Sequence, residues 1–316
     1  MKKTLLLKSI FMMIFFICIA DSCFADKEPL IFVIKSRDQK PHEFLKRSVL
    51  DNLKSEKISF KSKIFEMNSD FKKAKDILKK IEKEKPDLVL SIGSESTLFF
   101  SLYTKNIPII FSMVYKSDKI ATVLEKTQNV KGIFINLDME IVFNVLKDIK
   151  PNLKKIGIMS PSKHFNDQMD HLTKSAEKNE IEIISREVNS ASDVPRAINE
   201  LTKAVDALYV LPSPIFTNRQ MLKRIILKTL SNNIFVAGGS FEIVERGGLI
   251  GFGFDINNTA LITTNMVKEF LKTKDINGLE SRRCNKFYLY LNKRTSSSIG
   301  IKFSKKIESM AVNIIE

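Results

Sequence analysis

Residues 86–115 read PDLVLSIGSESTLFFSLYTKNIPIIFSMVY, and this stretch decides the predicted fold. Asp87–Ile92 is an almost uninterrupted apolar run that ends at Gly93, as expected of a strand buried on both faces of a parallel sheet. Helical apolar spacing follows over Thr97–Thr104, and Ile109–Phe111 starts a second buried strand. The right-handed crossover of such a β–α–β unit places its two strands parallel in one sheet.

Polar side chains follow both of these strands at the point where each strand ends. The first strand ends in the predicted tight turn Gly93-Ser94-Glu95-Ser96, and the second ends in Ser112-Met113-Val114-Tyr115. Ligands of open parallel sheets bind at the carboxyl ends of the strands. The two turns therefore predict half of a ligand-binding cleft that is rich in hydroxyl groups and poor in charge.

The rest of the chain alternates strand and helix patterns with short links, which predicts a doubly wound α/β fold. The pattern restarts after the helix breaker Lys150-Pro151-Asn152, and a chain of 316 residues is long enough to bury two cores. We therefore expect two lobes, each a parallel sheet flanked by helices. The predicted first lobe comprises residues 26–140 and about 255–285, and the second comprises 141–254 and about 286–316.

Charge and residue content argue against several classes of protein. Lys and Arg outnumber Asp and Glu by 51 to 36, but these cations are spread along helical stretches and do not cluster as a nucleic-acid-binding face requires. The three His and three Cys residues show no metal-site spacing, and no nucleophile elbow or phosphate-binding loop occurs. We expect a monomer without cofactor, metal, catalytic residues or nucleic-acid partner.

The first 25 residues are predicted to be an export signal. A basic start precedes an apolar stretch from Leu5 to Ala20, and Cys23-Phe24-Ala25 places small residues at the two positions that a signal peptidase reads. We expect cleavage after Ala25 and a periplasmic protein. Lipid attachment at Cys23 is the alternative, although Asp21 stands where that modification calls for a small or apolar residue.

Candidate ligand-binding residues follow predicted strands in both halves of the chain. His164 lies in a loop at a strand end, where it would line the cleft. We expect Arg37 to pair with a ligand carboxylate, and Glu95 or Glu242 with a ligand cation; surface salt bridges are the alternative role for the two glutamates. Four aromatic residues lie just beyond strand ends, where they would either form the apolar walls of a pocket or pack locally at helix starts: Tyr115, Phe165, Phe216 and Phe241.

Seven segments carry a resemblance to a known family through their order and spacing. They are Ser91–Ser94, Pro108–Ser112, Asn129–Gly132, Pro151–Ser162, Ser192–Val210, Glu245–Phe254 and Leu289–Ile301. With these segments the chain resembles the periplasmic substrate-binding components of ABC importers. The resembling family has the type I periplasmic-binding-protein fold and includes tryptophan- and tyrosine-binding members.

The resemblance implies a protein that catalyses no reaction and binds a small solute, an amino acid or a related compound, between its lobes. An ABC permease in the membrane would be its partner. A protein of the same fold that reports ligand occupancy to a membrane kinase or cyclase is the alternative. The residue pattern and the resemblance together give these candidate ligand-binding residues: Ser36, Arg37, Gly93, Ser94, Glu95, Ser96, Ser112, Tyr115, Ser160, Ser162, His164, Phe165, Ser213, Phe216, Gly239, Ser240, Phe241, Glu242 and Asp255.

Overall fold

The computed structural model describes residues 27–116, 118–135, 137–161, 169, 172–211, 213–284 and 286–316. The predicted signal peptide, the alternative anchor at Cys23 and the site residues Ser162, His164 and Phe165 lie outside the described residues. Within the described ranges, no helix combines the length and the apolar character that a membrane crossing requires.

A parallel sheet forms the core of the first lobe. Among the described residues its six strands are β1 (Leu30–Lys35), β2 (Lys61–Glu66), β3 (Leu88–Ile92), β4 (Ile109–Tyr115), β5 (Val130–Ile135) and β11 (Arg282–Cys284). Their spatial order is β11-β5-β4-β3-β1-β2, and every pair is parallel. The β–α–β unit predicted from residues 86–115 is thus confirmed, with its two strands adjacent at the centre of this sheet.

A second sheet forms the core of the second lobe. Its described strands are β6 (Lys155–Ser160), β7 (Glu182–Glu187), β8 (Ala207–Val210), β9 (Phe235–Gly238), β10 (Ile250–Phe254), β12 (Phe287–Asn292) and β13 (Ala311–Ile315). Their order is β13-β12-β10-β9-β8-β6-β7. Among these described strands only β10 and β12 pair antiparallel, because the chain returns from the first lobe in the opposite direction.

Helices cover both faces of each sheet. In the first lobe, α1 (Lys40–Ser55) and α10 (Ile256–Thr273) bury one face, while α2 (Phe71–Glu84), α3 (Ser94–Tyr103) and α4 (Asp118–Glu125) bury the other. In the second lobe, α5 (Met139–Ile149), helical residues 172–177 and α12 (Lys305–Met310) lie on one face. The opposite face packs against α6 (Val194–Leu201), α7 (Pro214–Thr217), α8 (Arg219–Leu230) and α9 (Phe241–Glu245); α11 (Lys293–Ser298) follows β12.

The start of α3 differs from the sequence prediction. We predicted a tight turn over 93–96 and a helix from Thr97, whereas α3 begins at Ser94. Gly93 has a φ of 99°, a left-handed conformation that only glycine adopts readily, and it turns the chain directly from β3 into the helix. By contrast, α5 begins at a residue type that favours helix starts: Asp138 caps it, and its carboxylate accepts a hydrogen bond from Glu140 N at 3.0 Å.

Candidate ligand-binding cleft

Three buried serines join the ends of β1 and β3. Ser36 Oγ lies 2.9 Å from Ser96 Oγ and also accepts a hydrogen bond from Ser96 N at 2.9 Å. Ser91 Oγ lies 2.8 Å from Ser96 Oγ, and all three side chains are buried. The predicted site residues Ser36 and Ser96 therefore hold the amino end of α3 against β1 from beneath the cleft surface.

Backbone hydrogen bonds join the ends of β3 and β4. Gly93 N donates to Ser112 O at 2.8 Å, and Tyr115 N donates to Ser94 Oγ at 3.1 Å. Ser112 is fully buried, and its Oγ lies 2.9 Å from Thr263 Oγ1 of α10. The structure thus brings Gly93, Ser94 and Tyr115 together as predicted neighbours, while the Ser112 hydroxyl contacts the helix behind them.

The charged candidates of the first lobe pair with each other. Arg37 Nη2 lies 2.5 Å from Glu95 Oε1, and Ser69 Oγ donates to Glu95 Oε2 at 2.6 Å. Burial alone would raise the pKa of the Glu95 carboxyl, but the hydrogen bonds from Arg37 and Ser69 outweigh it and hold that pKa below its ordinary value. Since each residue already has its counterion, a solute would have to displace one of them to engage the other.

His42 lies directly beneath this ion pair and was not predicted as a site residue. Its Nδ1 is 3.0 Å from the Arg37 carbonyl oxygen, and burial lowers the pKa of the imidazole. No sequence pattern selects His42, because the groups around it, Arg37 and Glu95, come from the end of β1 and from α3.

A buried lysine cluster lies at the end of β1. The Lys35 side chain is 1% exposed, and its Nζ lies 2.7 Å from Glu43, 2.8 Å from Glu66 and 3.2 Å from Asp38. Burial alone would lower the pKa of this ammonium, but the three carboxylates outweigh it and raise that pKa. The hydrogen bonds from Lys35 and then Lys46 lower the pKa of Glu43 to about 2.

Three predicted residues of the second lobe lie inside its core. Ser160 is fully buried, and Ser213 is buried and caps α7 by accepting a hydrogen bond from Ile215 N at 3.3 Å. Phe216 is also fully buried, in the apolar cluster formed with α6 and α8. Of the two alternatives for Phe216, the structure therefore shows local packing and not an open pocket wall.

The end of β9 presents the other predicted residues of the second lobe. Gly239, Ser240 and Glu242 are partly exposed there. The Phe241 ring lies 5.0 Å from the Tyr290 ring, centroid to centroid, at an interplanar angle of 58°. This loop therefore combines a hydroxyl and a carboxylate with an aromatic surface.

Asp255 stands where the chain passes from β10 into α10. Its Oδ1 accepts a hydrogen bond from Asn258 N at 2.9 Å, and Lys286 Nζ lies 3.4 Å from Oδ2. Burial raises the pKa of this carboxyl, but the bonds from Asn258, Tyr288 and Lys286 outweigh it and hold the pKa below its ordinary value. Asp255, a predicted ligand residue, thus caps a helix at the junction of the lobes.

Tyr115 lies at the end of β4, where the chain of the second lobe passes back into the first. Its ring centroid lies 5.8 Å from that of Phe254 at 74°, a nearly edge-to-face contact. The residue is 45% exposed, yet burial raises the pKa of its hydroxyl to about 12. Water therefore reaches part of the ring, while protein surrounds the hydroxyl group. Burial, and then the charge of Tyr115, also raise the pKa of Tyr209 on β8.

Three tyrosines are the part of this site that the sequence does not point to. Four of the five tyrosines, Tyr115, Tyr209, Tyr288 and Tyr290, lie near the junction of the lobes, but only Tyr115 was selected. The alternation of Tyr288 and Tyr290 along β12 predicts that they share a face. It does not indicate which face the cleft uses.

Known proteins resemble this chain over most of its length. The family model described as ABC transporter substrate binding protein matches residues 42–315. The tyrosine-binding protein of Clostridioides difficile (strain R20291) is 24% identical over 239 residues, covering 74% of this chain and 69% of that protein.

Two solved structures support the fold comparison. An ABC domain from Streptococcus pneumonia in complex with L-Trp is 19% identical, with a TM-score of 0.76 over 92% of this chain and 100% of that chain. A ligand-free, open substrate binding protein from Clostridium difficile, with adhesive properties, is also 19% identical, with a TM-score of 0.77 over 91% of this chain and 99% of that chain. The two-lobed type I periplasmic-binding-protein fold is confirmed, and this is a family of solute-binding proteins and not of enzymes. The chain belongs to the ABC transporter substrate-binding protein family.

Proposed function

We propose that this protein is the solute-binding component of an ABC importer, exported by a cleaved signal peptide, and that it binds an amino acid or a related compound between its lobes. Family membership supports the solute-binding role. It also supports export, since proteins of this family are normally extracytoplasmic. The relatives that bind tyrosine and L-Trp support the class of solute. The partner would be an ABC permease that recognises the closed arrangement of the lobes.

One observation carries the choice of solute class: aromatic side chains lie at the strand ends of both lobes. Tyr115 of the first lobe lies against Phe254, and Phe241 packs on Tyr290 in the second. Flat apolar surfaces of this kind suit a solute with a planar or apolar body. At the amino end of α3, Gly93 supplies no side chain and Ser36 Oγ accepts from Ser96 N, so the amides of Ser94 and Glu95 are the ones that would favour an anionic group such as an α-carboxylate.

Closure of the lobes would convert binding into a signal for the permease. A solute that contacts both strand-end surfaces binds the closed arrangement more tightly than the open one, so it shifts the population toward closure. We also propose lobe boundaries close to those expected from the sequence; the place of β11 in the first sheet and of β12 in the second supports them. We place the first boundary just before Met139, since α5 packs on the second sheet.

The test is solute binding by purified residues 26–316. Co-purifying solute would be released and identified, and a dye-based thermal shift would then compare aromatic, aliphatic and charged amino acids. A solute at 100 times its Kd stabilises the folded state by about 2.7 kcal/mol, so a rise of several degrees is expected for the aromatic class. An external dye is needed because the chain has no Trp.

A matched pair of variants locates the binding surface. Tyr115→Ala should weaken binding, whereas Tyr103→Ala should leave it unchanged, because Tyr103 is 61% exposed on α3 and lies outside the site. No shift with any solute, together with no co-purified solute, would contradict the proposed function. An equal loss of solute affinity in Tyr115→Ala and Tyr103→Ala would contradict the proposed location of the binding surface at Tyr115.

A further inference from the structure

Strand β4 contains one residue more than its neighbour accommodates. Phe111 pairs with Gly132 and Val114 pairs with Phe134, so three steps along β4 oppose two steps along β5. Met113, within this interval, has a φ of 56°, a left-handed conformation that residues with a Cβ rarely adopt. Together these features define a β-bulge in the strand that ends at the cleft.

The bulge changes which face of the sheet each following residue occupies. Ile110 and Met113 lie in the core beneath α1 and α10, and Phe111 and Val114 lie in the core on the opposite face. Ser112 contacts Thr263 of α10, so Ser112 and Met113, although adjacent, lie on one face. A regular strand would place them on opposite faces.

Tyr115 owes its direction to this change. In a regular strand counted from Ile110, Tyr115 would lie on the α2, α3 and α4 face and Lys116 on the other. Instead, Tyr115 packs on Phe254, whereas Lys116 Nζ lies 5.3 Å from the ring centroid of Phe134 in the core of the α2, α3 and α4 face. The bulge has exchanged the faces of a tyrosine and a lysine at the edge of the cleft.

The surroundings of the bulge hold it in place. A Cβ at Gly132 would lie 2.1 Å from Phe111 O and 2.5 Å from the Phe111 ring, so the strands approach closely only because position 132 is glycine. On the other side, the bonds from Gly93 N to Ser112 O and from Tyr115 N to Ser94 Oγ hold the segment to β3 and α3. Strained backbone that its surroundings maintain in this way is characteristic of functional sites.

We infer that Met113 is a positioning residue. Its left-handed bulge turns Tyr115 onto the α1 and α10 face of the sheet at the edge of the cleft, where the ring contacts Phe254 and determines which solutes the first lobe accepts. The inference on solute choice rests on the proposed function. The positioning itself is a property of the unliganded protein, so it is testable without a solute. Backbone conformation, and not the apolar side chain of Met113, is the feature that acts.

The absence of Trp from the chain permits a single fluorescent reporter at the contact. In a Phe254→Trp background, Tyr115→Ala should shift the emission to the red and increase quenching by iodide. Met113→Val should have the same effect, because a β-branched residue resists positive φ, while Met113→Asn should keep the parent emission, because Asn tolerates it. If Met113 acted only through core packing, Met113→Val would keep the parent emission and Met113→Asn would shift it, since Val is apolar and Asn is polar. Parent-like emission in Met113→Val, or an equal red shift in Met113→Val and Met113→Asn, would overturn the inference.

A second pair of variants covers the case in which Met113→Val does not fold. At a left-handed position Met113→Gly should unfold at a higher urea concentration than Met113→Ala, although it loses one more carbon from the core. The opposite order would overturn the inference. With a solute that binds the parent, Tyr115→Ala and Met113→Val should each weaken binding by about tenfold, and the double variant no further. Failure of the parent to bind any solute would instead count against the proposed function and leave both solute-free readouts intact.

Discussion

The buried ammonium of Lys35 should account for a measurable part of the stability of the first lobe. Lys35→Met keeps the apolar stem of the side chain but removes the charge, which leaves the carboxylates of Asp38, Glu43 and Glu66 facing one another without their shared cation. These acids come from the loop after β1, from α1 and from β2. The substitution therefore perturbs the packing of three elements around the end of β1.

The loss of unfolding free energy expected for Lys35→Met lies between the values known for buried and for exposed ion pairs. Removing one partner of a fully buried ion pair costs about 3–5 kcal/mol, whereas exposed pairs contribute about 0–1 kcal/mol. Lys35 is 1% exposed, but the side chains of Glu66, Glu43 and Asp38 are 39%, 45% and 66% exposed, so water compensates much of their charge. We expect Lys35→Met to lower the free energy of unfolding by about 2 kcal/mol at pH 7.

The pH dependence separates charge from packing. The pKa of Glu43 falls from an ordinary value of 4.5 to about 2, so its ionised form contributes stability that is present above pH 4.5 and is lost as the pH falls toward 2. Lys35 has a raised pKa, so its charge is constant across this window. The difference in free energy of unfolding between Lys35→Met and the parent should therefore shrink as the pH falls below 4.5.

Urea unfolding followed by far-UV circular dichroism, at pH 7, 5, 4 and 3, measures this difference. Lys155→Met is the matched control, because Lys155 is also a strand-terminal lysine, but its side chain is 48% exposed and its ion pair with Glu182 spans 3.3 Å. Lys155→Met should lower the free energy of unfolding by less than about 1 kcal/mol. A Lys35→Met loss that stays constant from pH 7 to pH 3 would refute the electrostatic reasoning and assign the effect to packing.

Two further predictions concern the strand ends. Gly132→Ala should lower the free energy of unfolding by about 1–3 kcal/mol in the same urea assay, because its methyl group would meet the backbone of Phe111. Gly278→Ala should be nearly neutral, because the closest atom to its methyl group would be the Asp275 carboxylate at 3.1 Å. Arg37→Ala should raise the pKa of the Glu95 carboxyl, observed by carbon NMR, and cost about 0.5–1 kcal/mol, because both side chains are 37% exposed. An unchanged Glu95 pKa would show that the ion pair does not form in solution.

The overall fold could be predicted because strand ends and helix caps are local signals. The run from Asp87 to Ile92 followed by Gly93 indicates a buried strand and its end, and Asp138 indicates a helix start, without any knowledge of distant residues. The short β11 could not be predicted in the same way. Its three residues, Arg282–Cys284, form a strand only because β5 offers an open edge.

The site was harder to predict because side-chain direction depends on register. Residues 109–114 are mostly apolar and β4 is buried on both faces, so the two-residue alternation that reports register is absent and the bulge at Met113 leaves no trace in the sequence. For the same reason a position just after a strand did not reveal that Phe216 turns back into the core. The Arg37–Glu95 pair joins residues 58 apart, beyond the reach of any local pattern.

The position of Phe254 explains how Tyr115 can serve both open and closed lobes. Phe252 lies in the core of the second lobe, but Phe254, two residues later, packs against the core of the first, and Asp255 then caps α10 of that lobe. The chain therefore changes lobes at Gly253. Phe254 moves with the first lobe, so its contact with Tyr115 persists when the lobes separate, whereas Tyr209 moves away with β8. A ring that is held in place before the solute arrives loses little freedom on binding, which favours affinity.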